Sequence, residues 1–484
     1  MLSPLIFAVL LASVYESPAD LTPRTKIDEL VFANLKRLGI PPANLCSDAV
    51  FLRRAYLDVI GTLPTPQEAA QFLADRDPNK RASLIDRLLE RDEFADYWAM
   101  KWSDLLRVKA EFPINLWPNA AQAYHHWIRA SLHENKPYDR FVRELLTESG
   151  SNFRAPPVNF YRALQRKDPQ AIAQTVALTF MGTRAENWPP TRLADMAVFF
   201  SRVGYKYTGE WKEEIVFFDP SKNPSLPADA LFPDGTRTRL ASDRDPRQVF
   251  ADWLIAPRNP WFARNIVNRV WSWLLGRGII HEPDDIRPDN PPSNPELLAY
   301  LESELIASRY DLKHIYRLIL NSKTYQLSSI PKTANPAGAA NFASYPLRRL
   351  DAEVLADALS QITGTTESYT SAIPEPYTVI PEGQRSISLP DGSITSPFLE
   401  LFGRPPRDTG LESERNNRPS PAQRLHLLNS RIADSPKLKV PVPDLYLLIL
   451  SRYPTDDELK IIGPKGRNDL AWALINSSEF LYRH

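Results

Sequence analysis

A chain of 484 residues is longer than one hydrophobic core usually serves, and 43% hydrophobic with 24% charged residues describes a globular protein, not a disordered or membrane-embedded one. The 58 basic residues balance 58 acidic ones, which excludes a global field directed at nucleic acid or anionic lipid. The one cysteine, Cys46, excludes an intrachain disulfide, a CxxCH haem attachment and a multi-cysteine zinc site.

In chain order, "LSPLIFAVLLASV" followed by polar "YESPAD" offers an apolar run of about 10 residues, the length of a signal-peptide core and too short to span a bilayer. Residues 1–20 are therefore read as a signal peptide, although no Lys or Arg precedes the run and no clean small-x-small cleavage site follows it. An apolar first helix is the alternative. With 45 prolines against 17 glycines, the rest of the chain should be helices with rigid punctuation.

Residues 25–205 read as a helical block. "FLRRAYLDVI" and "SLIDRLLERDEFADYWAMKWSDLL" carry apolar positions at helical spacing, and Tyr97, Trp98 and Trp102 fall on that stripe as core residues. Thr65, Pro66 and Glu68 spell a capping box, a device repeated by Thr455 with Glu458, and Ser420 before Pro421 opens a helix in the same manner. His125, His126 and His133 share one helix but lack a third metal ligand, so they read as packed or surface histidines. In "TFMGTRAENWPPTRLADMAVFF" an apolar helix breaks at Trp188-Pro189-Pro190 and resumes, and the prolines are expected to end the first helix.

Residues 206–242 lose the helical period. "EWKEEIVFF" can form a strand, and the Pro-rich stretch after it reads as a linker. Residues 243–484 form a second helical block with three polar clusters. Asp284, Asp285 and Asp289 surround Arg287, and can bind calcium, supply an acid–base pair, or hold a rigid loop through Asp–Arg pairs while Ser293 or Asn294 caps the next helix. Arg404, Arg407, Arg415 and Arg418 stand beside Glu412, Glu414, Asn416 and Asn417. These arginines could hold a ligand's carboxylate, sulfate or phosphate, or pair with the adjacent glutamates, which is the reading favoured. Asn265, Asn268 and Arg269, at i, i+3 and i+4, make a polar strip able to hydrogen-bond that loop. A short hairpin is expected at Asp391-Gly392. No HExxH, GxSxG, P-loop or GxGxxG is present, and no catalytic residue is assigned.

These long stretches resemble a planctomycete cytochrome-associated domain followed by a planctomycete secreted domain. "FLRRAYLDVIGTLPTPQEAAQFLAD" and "TFMG" carry the first likeness; "DWLIAPRNPWFARNIVNRVWSWLLGRGII", "DDIRPDNPPSNPELL" and "ERNNRPSPAQRLHLLNS" carry the second. The resemblance implies a mainly α, two-domain extracytoplasmic protein, with a small β element between or beside the helical blocks. It also implies that many relatives hold haem at a CxxCH after the "TF-aliphatic-G" helix. Here the corresponding places fall near Asn187, Pro190 and Thr191, which supply neither thioether nor axial imidazole. The expectation is a structural or partner-binding protein without haem or other cofactor of its own, with another extracytoplasmic protein or a polysaccharide as partner, no nucleic acid, and no integral membrane segment after signal removal. Two rivals stand beside it. One is a glycan- or sulfate-ester-handling enzyme whose Asp-rich and Arg-rich loops converge on one pocket with unspent charges. The other is electron transfer through noncovalent haem.

Overall fold

The computed structural model describes residues 14–17, 20–223, 229–462 and 469–484; most of the signal-peptide reading lies outside them. The fold is mainly α, as expected, with half of it helical and 6% in small sheets. No helix among the described residues is long and apolar enough to cross a membrane.

Local chemistry sets the helix starts. Thr65 Oγ1 accepts from the Glu68 amide while Glu68 returns a bond to the Thr65 amide, and Ser420 with Gln423 and Thr455 with Glu458 do the same. Most of the core is one contiguous apolar cluster running from Ile27 to Phe480, beside a small second cluster of Ala43, Leu45 and Leu327. At its centre the helix Asp92–Leu105 brings Trp98 and Trp102 against Trp273 of the helix Phe262–Leu275, with ring centroids 5.2 and 6.0 Å apart. Tyr97, Trp98 and Trp102 are each at most 3% exposed, and aromatic pairs of this kind contribute about 0.5–1.5 kcal/mol beyond their burial.

The strand expected in 210–218 is Glu214–Phe218, the centre of an antiparallel sheet flanked by Gly150–Ser151 and Val203–Tyr207. A second small pairing, Arg348–Arg349 with Tyr482–Arg483, ties the chain's end to its middle. The expected hairpin at Asp391-Gly392 does not form. Ser386–Ser388 is a 3-10 turn, and the Asp391 carboxylate accepts from the amides of Ser393 (2.8 Å) and distant Ala110 (2.9 Å), so the loop is pinned to the helical core. The break in 179–200 also differs from expectation. The helix Pro169–Val176 widens into a π turn, Ala177–Met181, and stops at Gly182 in the left-handed region (φ +61°), before the prolines. Pro190 instead opens the next helix, Pro190–Ala197, where its fixed φ and missing N–H cost nothing.

Candidate functional site

The loop 281–292 docks on the end of the helix at Gly182: the Ile286 amide donates to the Gly182 carbonyl at 2.8 Å. Asn265 donates to the Thr179 carbonyl (2.9 Å), and Asn268 both donates to and accepts from Ile280 (2.9 and 2.8 Å). Asn294, not Ser293, caps the following helix by accepting from Leu297. The polar strip of Asn265, Asn268 and Arg269 is therefore a fixture for this loop.

Arg269 brings the Asp-rich and Arg-rich loops together. Its guanidinium reaches Asp284 at 2.9 Å and Glu412 at 3.2 Å, and the Glu412 amide donates to Asp284 at 2.7 Å. The convergence that hydrolytic chemistry would need is present, but the charges are spent: Asp285 and Asp289 are each paired with Arg287 at 3.1 Å, and Asp284 is buried under Arg269. Glu414 accepts from the amides of Asp408 and Thr409, and the Asn416 side chain accepts from the Arg418 amide, so both shape their own loop.

The remaining arginines do not pair with adjacent glutamates as expected. Arg407 meets Asp104 at 2.9 Å; Arg415 meets Asp104 at 2.7 Å and Glu353 at 2.6 Å; Arg404 lies 3.5 Å from Glu353. The reason is burial. Asp104 rides the tryptophan helix, and Asp351 and Glu353 sit at the start of the helix Ala352–Thr363, all inside the core where only a close counter-charge offsets desolvation. Asp351 also takes Lys101 and Arg483, both at 3.0 Å, and Asn417 at 2.7 Å; Arg483 continues to Asp58 at 3.1 Å, which Arg348 approaches at 3.4 Å. Burial alone would raise the Asp351 pKa, yet Lys101, Arg483 and Arg415 hold it well below the usual carboxylate range. Burial pulls Lys101 down against the attraction of Asp351 and pushes Glu412 up against that of Arg269. Lys101, Asp104, Asp351, Glu353 and Arg483 escaped the sequence reading. The available signal was "MKWSDL", where a lysine and an aspartate interrupt an apolar helix face.

Two clefts flank the loop. The inner one, about 400 Å³, is lined by Tyr97, Lys101, Trp273, Asp351, Glu412 and Arg418 among others. The outer one, about 690 Å³, lies where relatives are expected to place the haem motif, and it is walled by Trp188, Trp261, Asn187, the Asp285–Arg287–Asp289 group and several prolines. Over the two indole rings lies Arg192, 4.1 Å from the Trp188 centroid and 5.7 Å from that of Trp261; its Nε donates to the Pro233 carbonyl at 2.9 Å. Glu282, on the inner cleft, meets Arg184, on the outer one, at 3.3 Å. Neither cleft gathers metal ligands: among the described residues no three His, Cys, Asp or Glu side chains are grouped to hold a metal ion. His125 is buried with both ring nitrogens unbonded, and His133 pairs with Asp92 at the surface.

Residues 26–207 match PSCyt2, a protein of unknown function (DUF1549), and residues 246–464 match PSD1, a protein of unknown function (DUF1553), in the order the resemblance implies. No curated protein and no solved structure matches the chain. The chain belongs to the proteins that join a PSCyt2 domain to a PSD1 domain.

Proposed function

We propose that this protein is an extracytoplasmic binding module that holds no haem of its own and takes polysaccharide in the outer cleft. One observation carries the reading: the cleft of about 690 Å³ beside Trp188 offers two half-buried indoles, with Arg192 over them and Asn187, Asp289 and Asn290 at its polar rim. Aromatic walls with a few placed polar groups suit a ligand that alternates apolar faces with hydroxyls. The haem-free part rests on chemistry in the sequence. The places where relatives carry their cysteines and histidine fall near Asn187, Pro190 and Thr191, and Cys46 is buried in the small strand Leu45–Cys46. The extracytoplasmic part rests on the resemblance and the apolar amino terminus. A hydrolytic role has less support, since the carboxylates of the Asp-rich loop are committed to Arg269 and Arg287.

Titration calorimetry with soluble neutral and acidic polysaccharides tests the site. Trp188→Ala and Trp261→Ala should each weaken binding about tenfold or more, as truncated aromatic anchors do. Unchanged affinity in both variants, or no binding by any polysaccharide, sinks the reading. A Soret band in protein purified from its native host would overturn the haem-free part separately.

A further inference from the structure

We infer that the inner cleft is an oxyanion site, built to take a carboxylate, sulfate or phosphate group between Lys101 and Arg418. The inference stands on charge and geometry away from Trp188, so it holds whatever the outer cleft binds.

The ion pairs joined through Asp351 form one network in which Lys101, Arg348, Arg404, Arg407, Arg415 and Arg483 face Asp58, Asp104, Asp351 and Glu353. The charged side chains that line the cleft itself are Lys101, Arg348, Arg415, Arg418 and Arg483 against Glu282, Asp351 and Glu412, five cations to three carboxylates. Glu412 is held by Arg269 and Glu282 by Arg184, whereas Arg418, exposed at the mouth, has no ion pair among the described residues. The lining therefore favours an anion over a cation, with one cation at the mouth still without a counter-charge.

The cleft gives that anion a place. Lys101 is 8% exposed and lines the cavity, where it meets one carboxylate oxygen, Asp351 Oδ2, at 3.0 Å; an ammonium carries three donors. Asn417 lines the same cavity with its amide spent on Asp351, and its unpartnered side-chain oxygen can accept only from a donor on an attached organic body, not from the oxyanion itself. Arg415 and Arg483, held in place by Asp104, Glu353, Asp58 and Asp351, line the wall and add positive charge to it. A space of about 400 Å³ admits an oxyanion with a small organic body attached, and Tyr97 and Trp273 give that body an apolar side.

The test uses the full chain in a chloride buffer of fixed ionic strength, titrated with sodium sulfate, sodium phosphate and sodium glucuronate. At least one should bind saturably and raise the melting temperature, and which one does identifies the source of the oxyanion. Lys101→Met keeps the stem and removes the charge, and should weaken binding tenfold or more. Arg418→Ala lies at the exposed mouth, folds regardless, and should weaken it about threefold. Absence of saturable binding by all three salts overturns the inference, as does binding that neither variant changes.

Discussion

At the scale of single residues, the interior holds ionisable groups that water would otherwise solvate, and His125 shows the consequence for stability. It is 3% exposed, neither ring nitrogen has a hydrogen-bond partner, and burial first, then Arg407, His126 and Arg129, depress its pKa from 6.5 to about 3. The folded state therefore keeps this imidazole neutral while an unfolded chain protonates it below 6.5. Between those values the unfolded state binds more protons, so stability rises with pH and is lost as pH falls from 6.5 toward 3, at up to about 1.4 kcal/mol per pH unit. His125→Leu removes the titration. Urea midpoints at pH 7.5 and pH 5.0 should lie closer together in that variant than in the parent, and equal separations would contradict the assignment. Asp351 acts in the same sense: its depressed pKa contributes stability above the unfolded carboxylate value that disappears on acidification.

At the scale of elements, the junction of the π turn with the loop 281–292 is where backbone conformation decides the site. Gly182 sits at φ +61°, and a Cβ there would lie 2.5 Å from Asn265 Oδ1, 2.8 Å from the Pro283 carbonyl and 2.9 Å from Ile286 Cδ1. Gly182→Ala combines a left-handed penalty of about 1–2 kcal/mol with overpacking of about 1–3 kcal/mol, so a loss of ~3 kcal/mol is expected in urea unfolding. Binding in the outer cleft should fall with it, because the loop that carries Asp285, Arg287 and Asp289 hangs on the Gly182 carbonyl. A variant as stable as the parent would show that the loop docks without this contact. Elements closed by partners within three residues were legible from the sequence: the Thr65–Glu68, Ser420–Gln423 and Thr455–Glu458 caps. What local reading could not supply were partners distant along the chain, since the Arg415–Asp104 pair spans 311 residues and the Arg407–Asp104 pair spans 303. Asp391 looked like the tip of a hairpin because its use by Ala110, 281 residues away, leaves no trace in its neighbours.

At the scale of the whole molecule, the two matched segments are joined by buried charge as well as by apolar contact. Arg53 donates to the carbonyls of Ile449 (2.8 Å) and Phe480 (3.0 Å), and Arg54 to those of His484 (2.8 Å), Tyr325 (2.5 Å) and Leu327 (2.9 Å). Asp58, Lys101 and Asp104 likewise find their counter-charges beyond residue 340. Removing one partner of a buried pair costs about 3–5 kcal/mol, and a typical domain has about 5–15 kcal/mol in total, so stranding several such groups exceeds what the first segment could withstand alone. A chain of residues 20–243 expressed by itself should therefore lack the near-ultraviolet dichroism of packed Trp98 and Trp102, and should regain it when coexpressed with 244–484. Lys101 of the first segment and Asp351, Arg415 and Arg483 of the second line the inner cleft together, so the reunited halves should recover oxyanion binding together with the tryptophan signal. A first segment that folds unaided would mean that Arg53, Arg54 and Asp58 can be solvated in place, and that the second segment contributes the cleft but not the stability.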